Sequence, residues 1–579
     1  MKRYSFLFLT VLMVLLTSLS ALGAVELLDP YHTEMPQGKW GGTLITSMIS
    51  DPNTLNPVLS GDSASEEVFE ARIFESLAMV NPETGLYEPA LARSWETSED
   101  GLSWTFHLRR GVQWTDGVEF TADDVIFTYD VTFDENVASP SREGLFIGGE
   151  PIKYEKLDKY TVRFTTPKPF APFLSNLLYI VPKHKLYDAW QAGKFNETWG
   201  VDMDPTDLVG TGPLTLAQYR PAQRVVYLRN SNYWKKAPNG QSLPYITRWV
   251  NEIVPDVDTA LLKFQNGKTH IVGIPPQDVA RIKAGEQAGN YTVHQAGTSF
   301  TSTLIAFNMN PRNPDFQQHP WKNQWFRNIH FRRALNHATD RTTIGEQVYA
   351  GMAVPQWSPV NAANKFWVHH GVRKYPFDLE KAREELKLGG FTWNQDGQLI
   401  GPDGHLVEIN LLTTETSNNW VDMMNILASD YQKLGLKVNA TGVAFSNLIT
   451  RLTNSYEWDM IIVGWGGSGT ELYGGHTMWL SSALYHMWNP KLEEPEFAWE
   501  ARVDQLWEEA ATTLDIEERK ALYNEWQDIY AENLPLLYAV NIMTHQAVTD
   551  KLKNIRPNSL GGDLYNGSIT WDYANLYFE

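Results

Sequence analysis

The sequence predicts an α/β protein with more than one folding unit, and three observations lead to that prediction. The chain has 579 residues, which is more than one hydrophobic core usually holds. Its first half contains short stretches of alternating apolar and polar residues, typical of antiparallel strands with one exposed face. Its second half alternates strands and helices in the order β-α-β-α-β, which predicts a parallel sheet covered by helices.

The remaining predicted elements form a mixed α+β first half and a more helical second half. Strands are predicted over 41–50, 103–109 and 160–166, with a hairpin over 214–219 and 225–228. Apolar residues at helical spacing predict helices over 67–79 and 326–349. A further helix should begin after the N-cap Asp378 and end at Leu388, before two glycines.

The β-α-β-α-β segment predicts where a ligand would bind. Its strands are predicted over 406–413, 436–443 and 459–465, and its helices over 418–434 and 446–456. Right-handed crossovers would make the three strands parallel. Their carboxyl ends would then share one edge of the sheet, where ligands of open α/β sheets bind.

The loops at this edge supply the candidate ligand-binding residues. Each loop offers hydroxyl or amide groups and carries an aromatic ring, which suits recognition more than catalysis. A single such loop would be equally typical of an ordinary glycine turn. The candidates are Asn418, Trp420, Phe445, Asn447, Trp465, Gly466, Gly467, Ser468, Thr470 and Trp479.

Composition restricts the class of protein. Residues 1–24 have a positive start, an apolar stretch and small residues before Ala24, so they are expected to be a cleaved signal peptide. There is no Cys, which excludes disulfides, thiolate metal sites and a lipid anchor on an N-terminal cysteine. The net charge of −20, or −22 once Lys2 and Arg3 leave, argues against nucleic acid as a partner. The 22 Trp residues favour a ligand with flat apolar faces, although Trp is also ordinary core material.

Several motifs are similar to those of one family, the bacterial extracellular solute-binding proteins of the peptide/nickel type (family 5). The similarity runs in collinear order over nearly the whole mature chain. The motifs are DPNTLNP at 51–57, PALARSW at 89–95, WTFHLR at 104–109, GV and WTDG at 111–117, TADDV at 121–125, GTGP at 210–213, NYW at 232–234, and FRRALN with DR at 331–341.

This resemblance implies a two-lobed, clamshell-shaped periplasmic binding protein (type II, cluster C) with an additional α+β domain in the first lobe. Family topology would place lobe I at 25–72, 205–302 and 532–579, the additional domain at 73–204, and lobe II at 303–531. The resemblance further implies a protein without catalytic residues, metal or cofactor, expected to be monomeric. It would deliver its ligand to the permease of an ABC importer in the membrane.

The sequence departs from the peptide-binding members that it resembles at two charged positions. Those members usually carry an Asp three residues after the Trp of the Gly-Trp strand end, and it binds the amino terminus of the peptide. Ser468 stands there, and Ile462 stands where some peptide binders have an Arg. A zwitterionic peptide would therefore have unpaired termini, unless Glu471 takes the ammonium group.

Four functions remain for comparison. The leading hypothesis is binding of β-linked oligosaccharides of plant origin, of the cello-, manno- or xylo-type. The alternative is an oligopeptide carrier. A nickel carrier is disfavoured because His369, His370, His476 and His486 are scattered. An exported glycoside hydrolase would need two carboxylates that flank the scissile bond, and Glu415 near the edge has no evident partner.

Overall fold

The computed structural model describes residues 27–466, 471–558 and 569–579. The predicted signal peptide lies outside these residues. Within the described part of the chain, no helix is both long and apolar enough to cross a lipid bilayer.

The elements of the first 300 residues are mainly short strands. The strands are β1 (Tyr31–His32), β2 (Thr43–Met48), β3 (Ala78–Asn81), β4 (Leu86–Pro89), β5 (Ala92–Thr97), β6 (Ser103–Leu108), β7 (Phe146–Ile147), β8 (Glu150–Pro151), β9 (Lys153–Asp158), β10 (Thr161–Thr165), β11 (Leu214–Arg220), β12 (Arg224–Arg229), β13 (Lys235–Lys236), β14 (Arg248–Ile253), β15 (Ile271–Ile274) and β16 (Tyr291–Thr298). The helices are α1 (Ser63–Phe69), α2 (Ala122–Phe133), α3 (Lys183–Gln191), α4 (Val257–Gln265), α5 (Val279–Ala284) and α6 (Glu286–Gly289).

The rest of the chain carries the longer helices. Its strands are β17 (Thr301–Phe307), β18 (Ala353–Pro355), β19 (Thr392–Trp393), β20 (Leu399–Ile400), β21 (Glu408–Thr414), β22 (Lys437–Val443), β23 (Met460–Gly466), β24 (Leu536–Tyr538), β25 (Val540–Thr549), β26 (Leu552–Lys553) and β27 (Tyr577–Phe578). Its helices are α7 (Pro314–Gln318), α8 (Pro320–Arg327), α9 (Ile329–His337), α10 (Arg341–Val348), α11 (Leu379–Leu388), α12 (Asn418–Gln432), α13 (Phe445–Thr450), α14 (His476–Trp479), α15 (Ala498–Thr512) and α16 (Ile516–Asn533).

Four larger sheets organise these elements. In the first half, the antiparallel sheet β5-β6-β10-β9 is separate from the mixed sheet β11-β12-β14-β2. A third sheet, β15-β25-β16, combines strands from the first half with a strand near the C-terminus. The fourth is the five-stranded sheet β22-β21-β23-β17-β24.

The predicted parallel arrangement is confirmed in the five-stranded sheet. β21 pairs in parallel with β22 on one side and with β23 on the other. β17 then adds to β23 in the antiparallel direction. Met460 to Val463 are at most 4% exposed, as expected for a strand that is covered on both faces.

Two predicted helices differ from the structure. In place of one helix over 67–79, α1 ends at Phe69 and Ala71 adopts a left-handed φ of 53°. The chain then turns at residues 71–73, and the carbonyls of Arg72 and Ile73 accept hydrogen bonds from Leu214 and Gly212. Ile73 and its apolar neighbours are therefore buried where this segment crosses the segment of Gly212 and Leu214. Their spacing resembles that of a helix, but they do not form one.

The second corrected helix, predicted over 326–349, is three helices. Asn328 begins α9 by accepting a hydrogen bond from the His330 amide at 3.0 Å. Asp340 begins α10 by accepting one from the Thr343 amide at 3.0 Å. Both side chains compete with the helical backbone for hydrogen bonds, so each starts a new helix.

The chain passes directly from the sheet of β15, β25, β16 and β18 to the five-stranded sheet between β16 and β17, and passes directly back between β24 and β25. Buried amides connect the two crossings: Gln356 donates to the Ser302 hydroxyl at 3.1 Å and accepts from Asn541 at 2.9 Å. Asn361 donates to the carbonyl of Phe300 at 2.6 Å. Two connecting strands joined in this way are suited to act as a hinge.

Candidate functional site

The edge predicted to bind a ligand is formed where β21, β22 and β23 end. Thr414 at the end of β21 lies opposite Val443 at the end of β22. Leu412 lies opposite Ile461, so β23 continues about three residues beyond its neighbours. On its other side, Trp465 and Gly466 stay paired with Ser302 and Thr301 of β17. The edge is therefore directly beside the first crossing of the hinge.

Trp465 is half-buried at this edge. Its indole contacts the ring of Tyr485 edge to face, with centroids 5.5 Å apart and an angle of 64°. Tyr485 is 37% exposed, so this aromatic pair is partly open to solvent. Tyr485 was not predicted, because it lies in an irregular segment twenty residues further along the chain.

Trp420 packs against β23 at Gly464, the residue before Trp465. Ser417 caps α12, and its hydroxyl accepts from the Trp420 amide at 3.4 Å. The Trp420 ring then packs on Gly464, where a Cβ atom would lie only 2.8 Å from it. Asn418, in the first turn of α12, is exposed. The first and third loops are thus brought together.

The second loop contributes Phe445 and Asn447 from α13. Phe445 is 49% exposed, so its ring is accessible from solvent. Asn447 is exposed, and its Oδ1 atom accepts a hydrogen bond from Arg451 at 3.0 Å. The Glu415 amide donates to the Val443 carbonyl at 2.9 Å, which joins the first and second loops.

Four predicted site residues do not contribute a described side chain to this edge. Gly467, Ser468 and Thr470 lie outside the described residues. Trp479 is 5% exposed and packs against Trp488, Trp526 and other rings of the core. The structure therefore removes Trp479 from the candidate site, because α14 directs it toward α16 and away from solvent.

Glu471, the acid considered for binding an ammonium group, is already paired. It lies 3.3 Å from Arg519, and both side chains are at most 10% exposed. Burial raises the pKa of Glu471, while the Arg519 charge opposes that shift. The Tyr473 amide also donates to it at 3.3 Å. A ligand ammonium would have to displace a buried guanidinium from this carboxylate.

A second concave feature lies in the first half and was missed by sequence reasoning. It is a cavity of about 830 Å³ that is lined by α1, by the segment from Ala71 to Val80, by Tyr179 and by two aromatic residues near the C-terminus, Trp571 and Tyr573. It shares no lining residue with the edge at Trp465. The prediction of a helix over 67–79 did not indicate this cavity, because a helix there would orient the lining side chains differently.

The described histidines do not form a metal site. Within residues 27–466, 471–558 and 569–579, no group of three or more His, Asp or Glu side chains is arranged to hold a metal ion. His369 is 3.4 Å from Asp528, and His476 bonds the Tyr473 carbonyl at 2.7 Å. These contacts are those of ordinary surface and core histidines.

Comparison with known families agrees with this architecture. The family model for the bacterial extracellular solute-binding proteins, family 5 (middle region), matches residues 87–485. The chain belongs to this family. The resemblance inferred from the motifs is confirmed, and the coarse function of a family 5 protein is to bind a solute.

Curated relatives match the family 5 chain over most of its length. An ABC transporter-binding protein of Deinococcus radiodurans is 28% identical over 565 residues, which are 92% of this chain and 93% of that protein. Heme-binding protein A of Haemophilus influenzae is 28% identical over 549 residues, 91% of this chain and 92% of that protein. Neither name identifies the solute that this family 5 protein binds.

Solved structures confirm the two-lobed periplasmic-binding-protein fold. The oligopeptide-binding protein AppA of Bacillus subtilis, in complex with a nonapeptide, has a TM-score of 0.65 at 22% identity and covers 94% of this chain and 100% of its own. The periplasmic binding protein MelB of Agrobacterium fabrum, in complex with stachyose, has a TM-score of 0.69 at 22% identity and covers 98% and 90%. At such identities the likeness concerns the fold alone.

Proposed function

We propose that this protein is the extracytoplasmic solute-binding component of an ABC importer and that its solute is an oligosaccharide, β-linked and of the cello-, manno- or xylo-type. The observation that carries the proposal is the half-buried indole of Trp465, which contacts the partly exposed ring of Tyr485 at the end of β23. A second half-buried indole, Trp420, packs on the preceding residue, Gly464. Flat apolar rings next to exposed amides match the apolar faces and hydroxyl rims of sugars.

Charge at the edge also favours a neutral solute. A peptide needs partners for its ammonium and carboxylate groups, because unpaired buried charges cost several kcal/mol. Glu471 is occupied by Arg519, and Ile462 is a fully buried apolar residue of the strand. A sugar needs only hydrogen bonds, each worth about 1 kcal/mol net. Asn418 and Asn447 are exposed amides beside the rings that suit this role.

The proposed mechanism is closure of the two lobes around the solute, followed by recognition of the closed form by the membrane permease. A ligand that contacts both lobes stabilises the closed state by its difference in affinity for the two states. The lobe boundaries expected from family topology, with lobe II at 303–531, form part of this proposal, with one change. The largest buried cluster begins at Leu304 and continues to Val540, which supports the start of lobe II at 303. Because β24 (Leu536–Tyr538) pairs with β17 in the same five-stranded sheet, we place the end of lobe II after β24 and not at 531. We further propose that the working form is a monomer.

Oligopeptide binding is the second candidate, because the curated relatives include the oligopeptide-binding protein AppA at 24% identity over 98% of this chain. Isothermal titration calorimetry decides between the two classes. Cello-, manno- and xylo-oligosaccharides of two to six units should release or absorb heat, and di- to pentapeptides should not. Heat from the peptides alone would refute the oligosaccharide proposal, and release of reducing sugar during the titration would indicate a hydrolase.

A further inference from the structure

The cavity in the first half has the size of a ligand site. Its volume is about 830 Å³, within the range of roughly 300–1,000 Å³ that is usual for small-molecule pockets. Its walls come from separate parts of the chain, which include the residues after β2, α1 and the segment after it, the segment around Leu174 to Tyr179, and the C-terminal residues Trp571 and Tyr573. No residue of the five-stranded sheet contributes to it.

Arg72 lines this cavity with a guanidinium group that lacks an acceptor. Arg72 is only 8% exposed. Its guanidinium carbon lies 4.7 Å from the centre of the Trp249 ring. Among the residues that the structure describes, none accepts a hydrogen bond from this group or forms an ion pair with it. A guanidinium has five N–H donors, so Arg72 is available to acceptor oxygens of a ligand in the cavity.

The same cavity also presents carboxylates. Glu66 and Glu70 are one helical turn apart and both line it, and the Tyr179 hydroxyl donates to Glu70. Burial and the neighbouring Glu70 raise the pKa of Glu66, whose carboxylate has no hydrogen-bond or ionic partner in the described part of the chain. The hydroxyl of Ser76 on the cavity wall is buried and unpaired as well. Arg72, Glu66 and Ser76 therefore line one open cavity.

Aromatic rings complete the walls. Trp571 is held by a hydrogen bond from its indole nitrogen to the Arg556 carbonyl at 3.0 Å, and the Arg556 guanidinium lies 4.6 Å from the ring centre. Tyr87 and Tyr573 lie on the same cavity. Rings fixed in this way offer rigid apolar faces beside the charged groups.

We propose that this cavity is a second binding region, in which Arg72 and Glu66 hold a sugar unit through its neighbouring hydroxyl groups. The proposal rests on the proposed oligosaccharide function. Each hydroxyl both donates and accepts a hydrogen bond, so adjacent hydroxyls satisfy the arginine and the carboxylates together. A simple anion would leave the carboxylates without donors, and a simple ammonium ion would leave Arg72 without an acceptor.

Titration calorimetry of three variants with the oligosaccharide that binds the wild-type protein tests this inference. Arg72→Met and Glu66→Gln should each weaken binding about tenfold or more, because hydrogen bonds to charged groups are lost. Arg220→Met is the matched control, since Arg220 is exposed at the end of β11 and does not line the cavity. It should bind like the wild type. Circular dichroism confirms folding, and if Arg72→Met does not fold, the near-isosteric Glu66→Gln carries the test.

The outcomes separate the two proposals. Wild-type affinity in Glu66→Gln and in folded Arg72→Met would overturn the cavity assignment and leave the oligosaccharide function standing. Binding of peptides and of no sugar by the wild type would overturn both, whatever the variants do. A loss in all three variants, the control included, would also overturn the assignment, because the effect would then be independent of the cavity.

Discussion

Replacement of Trp465 by alanine tests the candidate edge most directly. The indole is half-buried, contacts Tyr485 at 5.5 Å, and lies at the open end of β23. If a sugar ring stacks on its exposed face, the variant loses about 1 kcal/mol of stacking. It also loses apolar burial, which at about 25 cal/mol per Å² adds roughly 1 kcal/mol for one covered ring face. The sum of about 2 kcal/mol corresponds to a dissociation constant about 30-fold higher.

The assay is titration calorimetry of Trp465→Ala beside the wild type and a matched control, Trp321→Ala. Trp321 is also a half-buried indole against the same core, but it stacks on His405 at 3.8 Å, outside the candidate edge. The control should lower stability without changing affinity, whereas Trp465→Ala should lose affinity and retain its circular dichroism spectrum. Equal affinity in Trp465→Ala and the wild type would refute the placement of the site at this edge.

Two further predictions concern residues whose packing or ion pairs stabilise the structure at and near the candidate edge. Gly464→Ala should lower the free energy of unfolding by about 1–3 kcal/mol in urea melts, because its Cβ would lie 2.8 Å from the Trp420 ring. Gly466→Ala is the control, since a Cβ there meets no atom within 4 Å, and equal stability of the two variants would contradict this packing. Glu471→Gln should destabilise the protein by about 3 kcal/mol or more in thermal melts, because Arg519 is left buried without a carboxylate. Unchanged stability with lost peptide binding would show instead that Glu471 serves a ligand.

The parallel sheet could be predicted because its signal is local. Met460 to Val463 form an apolar run without alternation, and helices of ordinary length separate the strands. Such a pattern is compatible with few sheet topologies, because crossovers between neighbouring parallel strands are nearly always right-handed. The edge and the residues Trp420, Phe445 and Trp465 follow from the strand order alone.

The cavity and the broken helices could not be predicted because they depend on distant residues. The turn at Arg72 and Ile73 requires Gly210 and Gly212, whose missing side chains let the two main chains approach. A Cβ at Gly210 would lie 1.9 Å from the Ile73 carbonyl oxygen. Periodicity within residues 67–79 contains no information about this partner, so the local pattern favoured a helix.

In the proposed mechanism, the position of Trp465 would connect ligand binding with lobe closure. Trp465 pairs with Ser302, only a few residues from the first crossing between the two sheets. The Ser302 hydroxyl accepts from Gln356, which in turn accepts from Asn541 on the second crossing. If the solute binds on the Trp465 ring as proposed, it contacts the strand beside both connections. Contacts that only the closed state completes would then stabilise closure.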